Sequence, residues 1–511
     1  MRVRAVDRLG EALLLFLVLL GGAGAFALLS GNPLFRLVGL RGAASPYGAS
    51  LPGDGLLFTR SVAALLIGLG LLALGALLFP NRADRALSSF LRLWEELEER
   101  KPMLLLFLVA LAFGVYGGSF RIGYYADDFV WRIEAGRSAA EIRHIFSLSV
   151  SHFFKPLTHL LHLVQFRFFS DPHPAHLCGL LLHGVNAFLL SLVVSALSRR
   201  KGLALLSALL FCVYSVSNRS VMWLSGSEIT LGATFYLLTL QGFLGFLERS
   251  DRFSLASALL FCLLGLLTKE AVITVVPTLI LIALFRKRER LGITALLFGS
   301  LGLLYLALEF LIQSGGFLVT QGLYGFRPFL LLENLCLYLF VSLVPQGHKL
   351  LAALPPLRLL VFLAVPAVTL FALGKGGKLT RFFLLWELLL LTPFLPFNLP
   401  VQPRYLYLPA LAFCPLLALL LLHCRERLLA GVKRGRALFA IVLVALVAGN
   451  ALIVQVAAVR MAKESRQVQQ YLRSLRADPE RAAEVRRGLL PPDSPLTADH
   501  LRAALEIEDD Q

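Results

Sequence analysis

Residues 102–129 read PMLLLFLVALAFGVYGGSFRIGYYADDF: an apolar run from Pro102 to Phe120 that leads into Tyr124-Tyr125-Ala126-Asp127-Asp128-Phe129. A helix crosses the hydrocarbon core of a bilayer with about 20 predominantly apolar residues, and this run is long enough. Two adjacent carboxylates at the mouth of such a helix are costly. Ionisable groups at that depth are rare outside functional sites and call for a named partner. The plain alternative for Asp127 and Asp128 is a solvated helix end.

The same apolar pattern recurs along the chain. It has 511 residues, 57% of them hydrophobic, and a mean hydropathy of +0.75. These blocks predict an all-α polytopic membrane protein of about thirteen spans. The net charge of +17 does not read as a nucleic-acid surface. Most of the excess Lys and Arg lies in short loops between apolar spans, as the positive-inside rule requires. The six cysteines lie in or at the ends of apolar segments and form no CxxC pair. They suggest neither a zinc site nor a disulfide framework, only small apolar fillers.

Arg2, Arg4 and Arg8 precede a first span at about 11–30, and a second follows at 57–79, so 1–80 reads as an N-terminal hairpin that starts in the cytoplasm. The basic stretch 81–102 reads as a cytoplasmic amphipathic connector. The span at 103–119 then leaves the cytoplasm, which puts Asp127 and Asp128 outside. The loop 120–175 is the longest polar stretch within the membrane-spanning part and carries two interfacial helices, Ala139–Phe146 and Pro156–Phe169. Spans follow at about 176–197, 203–217, 230–247, 253–268, 271–285 and 291–313. The apolar segment 330–344 breaks the charge alternation, which is restored if it enters and leaves on the outer side or lies along the interface. Spans at 357–374, 380–396, 405–422 and 437–459 complete the set. The chain thus divides into a membrane core over 103–423, a basic loop with the last span over 424–459, and an outer tail over 460–511 of one or two short helices.

With this topology the unusual polar residues gather on one face. Asp127, Asp128 and Lys155 lie in the first large outer loop. His183 and Asn186 lie one turn apart in the next span, Trp223, Ser225 and Glu228 in the next outer loop, Lys269-Glu270 at another outer end, and Arg404-Tyr405-Leu406-Tyr407 at the outer start of a late span. Cations suit a phosphate, and a carboxylate suits general-base work on a hydroxyl. Each residue also has a plainer reading. Lys269 and Glu270 can pair with each other, Arg404 with Tyr405 and Tyr407 can form an interfacial anchor, and His183 and Asn186 can bond between helices. His152, His159, His162, His173 and His176 follow interfacial-helix spacing rather than metal-ligand spacing, so no metal is expected.

The order of these motifs resembles the GT-C superfamily of polyprenyl-phosphate-sugar-dependent glycosyltransferases. The order is the acidic pair, Lys155-Pro156-Leu157-Thr158, HLCGLLLHGVN at 176–186, Trp223-Leu224-Ser225, Lys269-Glu270, and Arg404-Tyr405-Leu406-Tyr407-Leu408-Pro409. Within the superfamily it is most similar to the protein O-mannosyltransferase branch and its TPR-containing relatives. The resemblance covers roughly 103–423. It implies inverting sugar transfer on the non-cytoplasmic side of a cell membrane, from a polyprenyl-monophosphate sugar to a hydroxyl of a glycan, lipid or protein, with no cofactor. It further implies that Asp127 or Asp128 is the base, the first of the pair being preferred. Arg404, Lys269 and Lys155 would hold the donor phosphate, and Glu270, Glu228, Tyr405, Tyr407, Trp223, His183 and Asn186 would support the substrates. The chain departs from the family where Lys155 replaces an Arg and where Ser215–Ser220 lacks an acidic residue. The competing classes are a transporter or flippase of lipid-linked glycans and a surface-polysaccharide polymerase or ligase. Transporters concentrate polar residues at midplane and often show inverted repeats, and neither is visible here.

Overall fold

The computed structural model describes residues 99–486 apart from 149–152, 170, 314–321, 323, 346, 399–400 and 432–434, and beyond them 494, 500, 501, 504 and 505. The hairpin expected over 1–80, nearly all of the 81–102 connector, and His152 lie outside the described residues. Regular structure among the described residues is helical, apart from one isolated bridge between Tyr324 and Phe397.

The chain runs through α1 (Lys101–Tyr116), α2 (Asp127–Ala140), α3 (Pro156–Phe168), α4 (Pro172–Ser198), α5 (Lys201–Val213), α6 (Ser227–Arg249) and α7 (Arg252–Leu266). It continues through α8 (Val275–Arg286), α9 (Leu291–Gln313), α10 (Pro328–Leu343), α11 (Pro355–Lys375) and α12 (Lys378–Leu391). The last helices are α13 (Ala410–Gly431), α14 (Gly435–Arg476) and α15 (Pro479–Arg486). Six helical stretches are long and apolar enough to cross a membrane: Lys101–Arg121, Pro172–Ser198, Ser227–Arg249, Arg288–Ile312, Pro356–Lys375 and Ile441–Arg476. Lys201–Val213, Arg252–Leu266 and Pro328–Leu343 are apolar but shorter. The protein is a multi-pass helical membrane protein.

Local sequence sets the helix ends. Asp171 and Asp251 cap α4 and α7 by accepting from the backbone N–H of His173 and Ser254, and Pro172 fits the first turn. Arg199 and Ser250 end α4 and α6 in the left-handed conformation. The buried centre is α4 and α6. Helix α4 packs on α1 and α5, α6 packs on α7, and α13 closes the far side against α5, α12 and α14. A Cβ at Gly184 would lie 2.7 Å from Val109 Cα, so α4 and α1 touch where only glycine fits. Leu303, Leu304, Phe310 and Leu311 of α9 and Leu359, Leu363 and Leu370 of α11 are exposed. In a bilayer such side chains meet acyl chains.

The two ends of the bundle differ in chemistry. At one end, Arg286 donates to the Ala196 carbonyl, Arg290 to Ser250 Oγ at 2.7 Å, and Lys378 lies over the Phe285 ring. The basic turns after α4, α6 and α8 are therefore stitched together. The acidic pair, Lys155, Lys269 and Arg404 lie at the opposite end.

The tail departs from expectation. Rather than starting fresh short helices at 460, the chain continues α14 unbroken to Arg476, a helix of 42 residues. At 1.5 Å per residue it is about 63 Å long, twice the hydrocarbon core. Its later part packs along the end of α1 and the turn that follows. Ser465 Oγ accepts from Gly123 N at 3.0 Å, and Gln455 donates to the Val115 carbonyl at 2.7 Å. The segment at 330–344 is one unbroken helix, α10, of 16 residues, about 24 Å long.

Candidate active site

The acidic pair opens α2, where the helix dipole favours negative charge. Ala126, just before it, has φ +50° and ψ −127°, a conformation side chains rarely adopt. The Asp128 N–H closes the turn onto the Tyr125 carbonyl at 3.3 Å. The two carboxylates then part. Asp128 is buried. Its Oδ1 accepts from Ser225 N at 2.9 Å and Ser225 Oγ at 2.5 Å, and its Oδ2 accepts from Tyr125 N at 3.2 Å. It ties the loop after α1 to the loop before α6. Asp127 has a side chain 45% exposed and accepts a hydrogen bond from, or pairs with, His500 Nε2 at 2.8 Å.

Burial pushes the Asp128 carboxyl up to about 7; hydrogen bonds from Ser225 and Tyr125 pull the other way, and the Asp127 charge adds a smaller push. The unfolded chain would lose this proton near pH 4. The folded state therefore holds an extra proton between about pH 4 and 7. Stability falls as pH rises through that window, by about 1 kcal/mol per pH unit, and levels off above it. Asp128→Asn cannot titrate and is expected to lack the slope. It also turns an amide toward the Tyr125 N–H, at a cost of about 1–3 kcal/mol. Melting temperatures of both proteins from pH 4.5 to 8 check this; parallel curves would remove Asp128 as the source.

Arg404 lies in a short turn, Pro403–Leu406, fixed by Ser220 Oγ, which donates to the Arg404 carbonyl at 2.8 Å. Its guanidinium lies over the Trp223 ring at 5.3 Å and the Tyr405 ring at 5.1 Å. Trp223 in turn packs against Tyr125, with ring centroids 5.6 Å apart and the planes tilted by 30°. No carboxylate among the described residues comes within ion-pair distance of Arg404. Among the described residues Arg404 Nε, Trp223 Nε1 and Tyr125 Oη are buried and have no hydrogen-bond partner, while Arg404 Nη2 donates to Tyr405 Oη at 3.3 Å. Three unmatched donors thus cluster beside the acidic pair, and buried polar atoms are seldom left so. Tyr405 stacks nearly parallel on Phe394 at 4.9 Å and Phe397 at 5.4 Å.

Lys155 and Lys269 are placed differently from Arg404. The Leu157 N–H bonds the Leu267 carbonyl, and Thr158 Oγ1 the Thr268 carbonyl at 2.6 Å. The start of α3 is thereby fastened to the end of α7, and the two lysines are brought together. Lys155 Nζ is 3.2 Å from Glu228 and 3.8 Å from Glu270; Lys269 Nζ is 2.6 Å from Glu228 and 2.9 Å from Glu270. Two cations face two carboxylates in a closed, nearly buried square, and their charges cancel locally.

His183 and Asn186 sit deeper. His183 Nδ1 is 2.9 Å from Tyr407 Oη and its Nε2 is 3.1 Å from the Cys212 carbonyl. Asn186 donates to the Thr230 carbonyl at 2.8 Å and to Tyr407 Oη at 3.1 Å. Tyr407 is fully buried. These three join α4, α5, α6 and the start of α13 in the bundle core, and so support the turn that carries Arg404.

Some neighbours of the site had no signal in the sequence. His500 reaches Asp127 from 373 positions away, Glu464 comes within 3.9 Å of Arg219, and a cavity of about 190 Å³ between α2 and α14 is lined by Tyr124, Phe129, Arg132, Gln469, Arg473 and Arg476. Helix α14 and the residues after it form a wall of the site.

No family model and no curated protein matches this chain. Among solved structures it is similar to the oligosaccharyltransferase of Archaeoglobus fulgidus, crystallised with zinc and sulfate. The identity is 14% and the TM-score 0.46, over 77% of this chain and 58% of that one. It is also similar to apo ArnT from Cupriavidus metallidurans, at 14% identity and TM-score 0.43, over 76% of this chain and 80% of that one. The chain therefore spans less than two thirds of the oligosaccharyltransferase's length.

Proposed function

We propose that this protein is an integral membrane glycosyltransferase that moves a sugar from a polyprenyl-phosphate donor to an acceptor hydroxyl on the non-cytoplasmic side. The observation that carries the reading is the pairing of an accessible carboxylate, Asp127, with the unmatched donors of Arg404, Trp223 and Tyr125. A base and an anion-binding cluster side by side are what displacement at an anomeric carbon with a phosphate leaving group requires.

In this reading the acceptor oxygen attacks the anomeric carbon from the face opposite the phosphate. Asp127 takes the hydroxyl proton as the new C–O bond forms. The old C–O bond breaks with its electrons on the phosphate oxygen, and Arg404 meets the growing charge. Inversion follows from the single displacement. Asp128 is a positioning residue, since its lone pairs are already engaged and it lies out of an acceptor's reach. Lys155, Lys269, Glu228 and Glu270 hold the floor of the site, with their charges spent on one another. His500 sits on Oδ1 of Asp127 and competes there with an acceptor hydroxyl.

The test is sugar transfer by the protein reconstituted in liposomes, supplied with polyprenyl-phosphate sugars and candidate glycan, lipid and peptide acceptors. New glycosidic product with release of polyprenyl phosphate is the expected result. Movement of unmodified lipid-linked glycan between leaflets, without product, would assign the protein to transport instead.

A further inference from the structure

Helices α2 and α3 carry the first-loop residues of the site at their starts, and a second group of side chains joins them further along. Glu134 of α2, His144 of the turn that follows, and His159 of α3 each offer one ligand atom, all within 4.8 Å of one another. Glu134 and His159 are buried, and His144 has a quarter of its side chain exposed. Glu134 Oε2 and His144 Nε2 are 2.8 Å apart. Glu134 Oε1 is taken by Arg137 at 3.0 Å, which leaves Oε2 turned to the histidines.

His159 is the second, independent observation. It is 1% exposed, and among the described residues neither ring nitrogen has a hydrogen-bond partner. Its neighbours on the ring faces and edges are Trp131, with centroids 5.3 Å apart, and His144, at 5.8 Å. Neither contact satisfies an imidazole nitrogen. An imidazole enclosed in this way forfeits both its donor and its acceptor, which native interiors avoid. A metal ion on one nitrogen satisfies it with the strongest interaction available to imidazole.

We propose that Glu134, His144 and His159 bind a divalent ion of the zinc class. Two imidazoles with one carboxylate form a nitrogen-rich borderline set that suits zinc over magnesium or calcium, which prefer all-oxygen shells. Tetrahedral bonds of about 2.0–2.2 Å put ligand atoms about 3.3 Å apart, so small side-chain rotations from the present positions close the site. Three protein ligands leave a fourth position to water. The ion ties the middle of α2 to α3 across the 149–152 segment. It thereby fixes the loop whose two helix starts hold Asp127, Asp128 and Lys155. Its role is positional, and it does not depend on the glycosyltransferase reading.

The experiment is metal analysis of the full-length protein in detergent, dialysed against a weak chelator and then given one equivalent of zinc. The wild type is expected to retain about one zinc per chain, and Glu134→Gln, His144→Ala and His159→Ala to retain at least tenfold less. A strong chelator is expected to lower the melting temperature of the wild type but not of His144→Ala, the partly exposed ligand and the variant with most reason to fold. Cobalt(II) substitution is expected to give visible absorption of a four-coordinate site, lost in the same variants. A wild type that retains no zinc after loading overturns the proposal, as does a His144→Ala protein that folds and keeps the full equivalent. Failure of sugar transfer with zinc retained counts against the catalytic reading alone.

Discussion

Asp127→Asn is expected to lower turnover about a hundredfold or more while the protein melts near the wild-type temperature. The carboxylate is half exposed, and among the described residues its hydrogen-bond partner is His500, so an isosteric amide removes a base while leaving the packing of the fold unchanged. Asp128→Asn gives the opposite pattern, a loss of stability first, because Asp128 Oδ1 and Oδ2 fasten Ser225 and Tyr125. Turnover and melting temperature, measured together on both variants, separate the two roles. His500→Ala is expected to lower the acceptor KM and leave kcat close to wild type, since the imidazole competes with the acceptor for the same carboxylate. Full turnover in Asp127→Asn would exclude it as the base. Glu228 and Glu270 would make poor replacements, because two lysines already neutralise them.

Arg404→Ala is expected to lower kcat by about 10²–10³, the scale for removing a preorganised group that meets developing charge. Arg404→Lys is expected to recover only part of this. An ammonium keeps the charge but loses the planar stacking on Trp223 and Tyr405 and the fork of donors. The informative measurement is kcat beside donor KM. If KM rises and kcat holds, Arg404 binds substrate and transition state equally and is not catalytic. Lys155→Ala and Lys269→Ala serve as the contrast. Each leaves a carboxylate of the square uncompensated, and the loss is expected in stability before turnover.

The parts of this molecule legible in its sequence share one property: they are local. Apolar runs announced the helices, and the stretch ending in Tyr124-Tyr125-Ala126-Asp127-Asp128 announced a costly feature at the mouth of one of them. Neighbouring Lys269 and Glu270 announced half of the charge square. Distance hid the other half, since Lys155 lies 73 positions from Glu228. The different fates of Asp127 and Asp128 were hidden as well, because they depend on Ser225, 97 positions on. His159 and His162 looked like ordinary interfacial-helix spacing, and only the packing of α2 on α3 brings Glu134 to one of them. The length of α14 was missed for a different reason. Apolarity stops near Val459, but helix propagation needs only good helix formers, and Met461, Ala462, Lys463, Glu464, Arg466 and Gln469 supply them.

The wall formed by α14 and the residues after it also sets an order in time. A chain is made from its N-terminus and folds as it emerges. The residues that meet Gly123, Arg219 and Asp127 are Ser465, Glu464 and His500. All are synthesised after the helices they cover. The anion-binding donors and the acidic pair can therefore assemble while the site still lacks one side, and these later-made residues enclose it. A ribosome stalled before residue 460 would carry a protein with every ligand-facing residue named above in place except the cover.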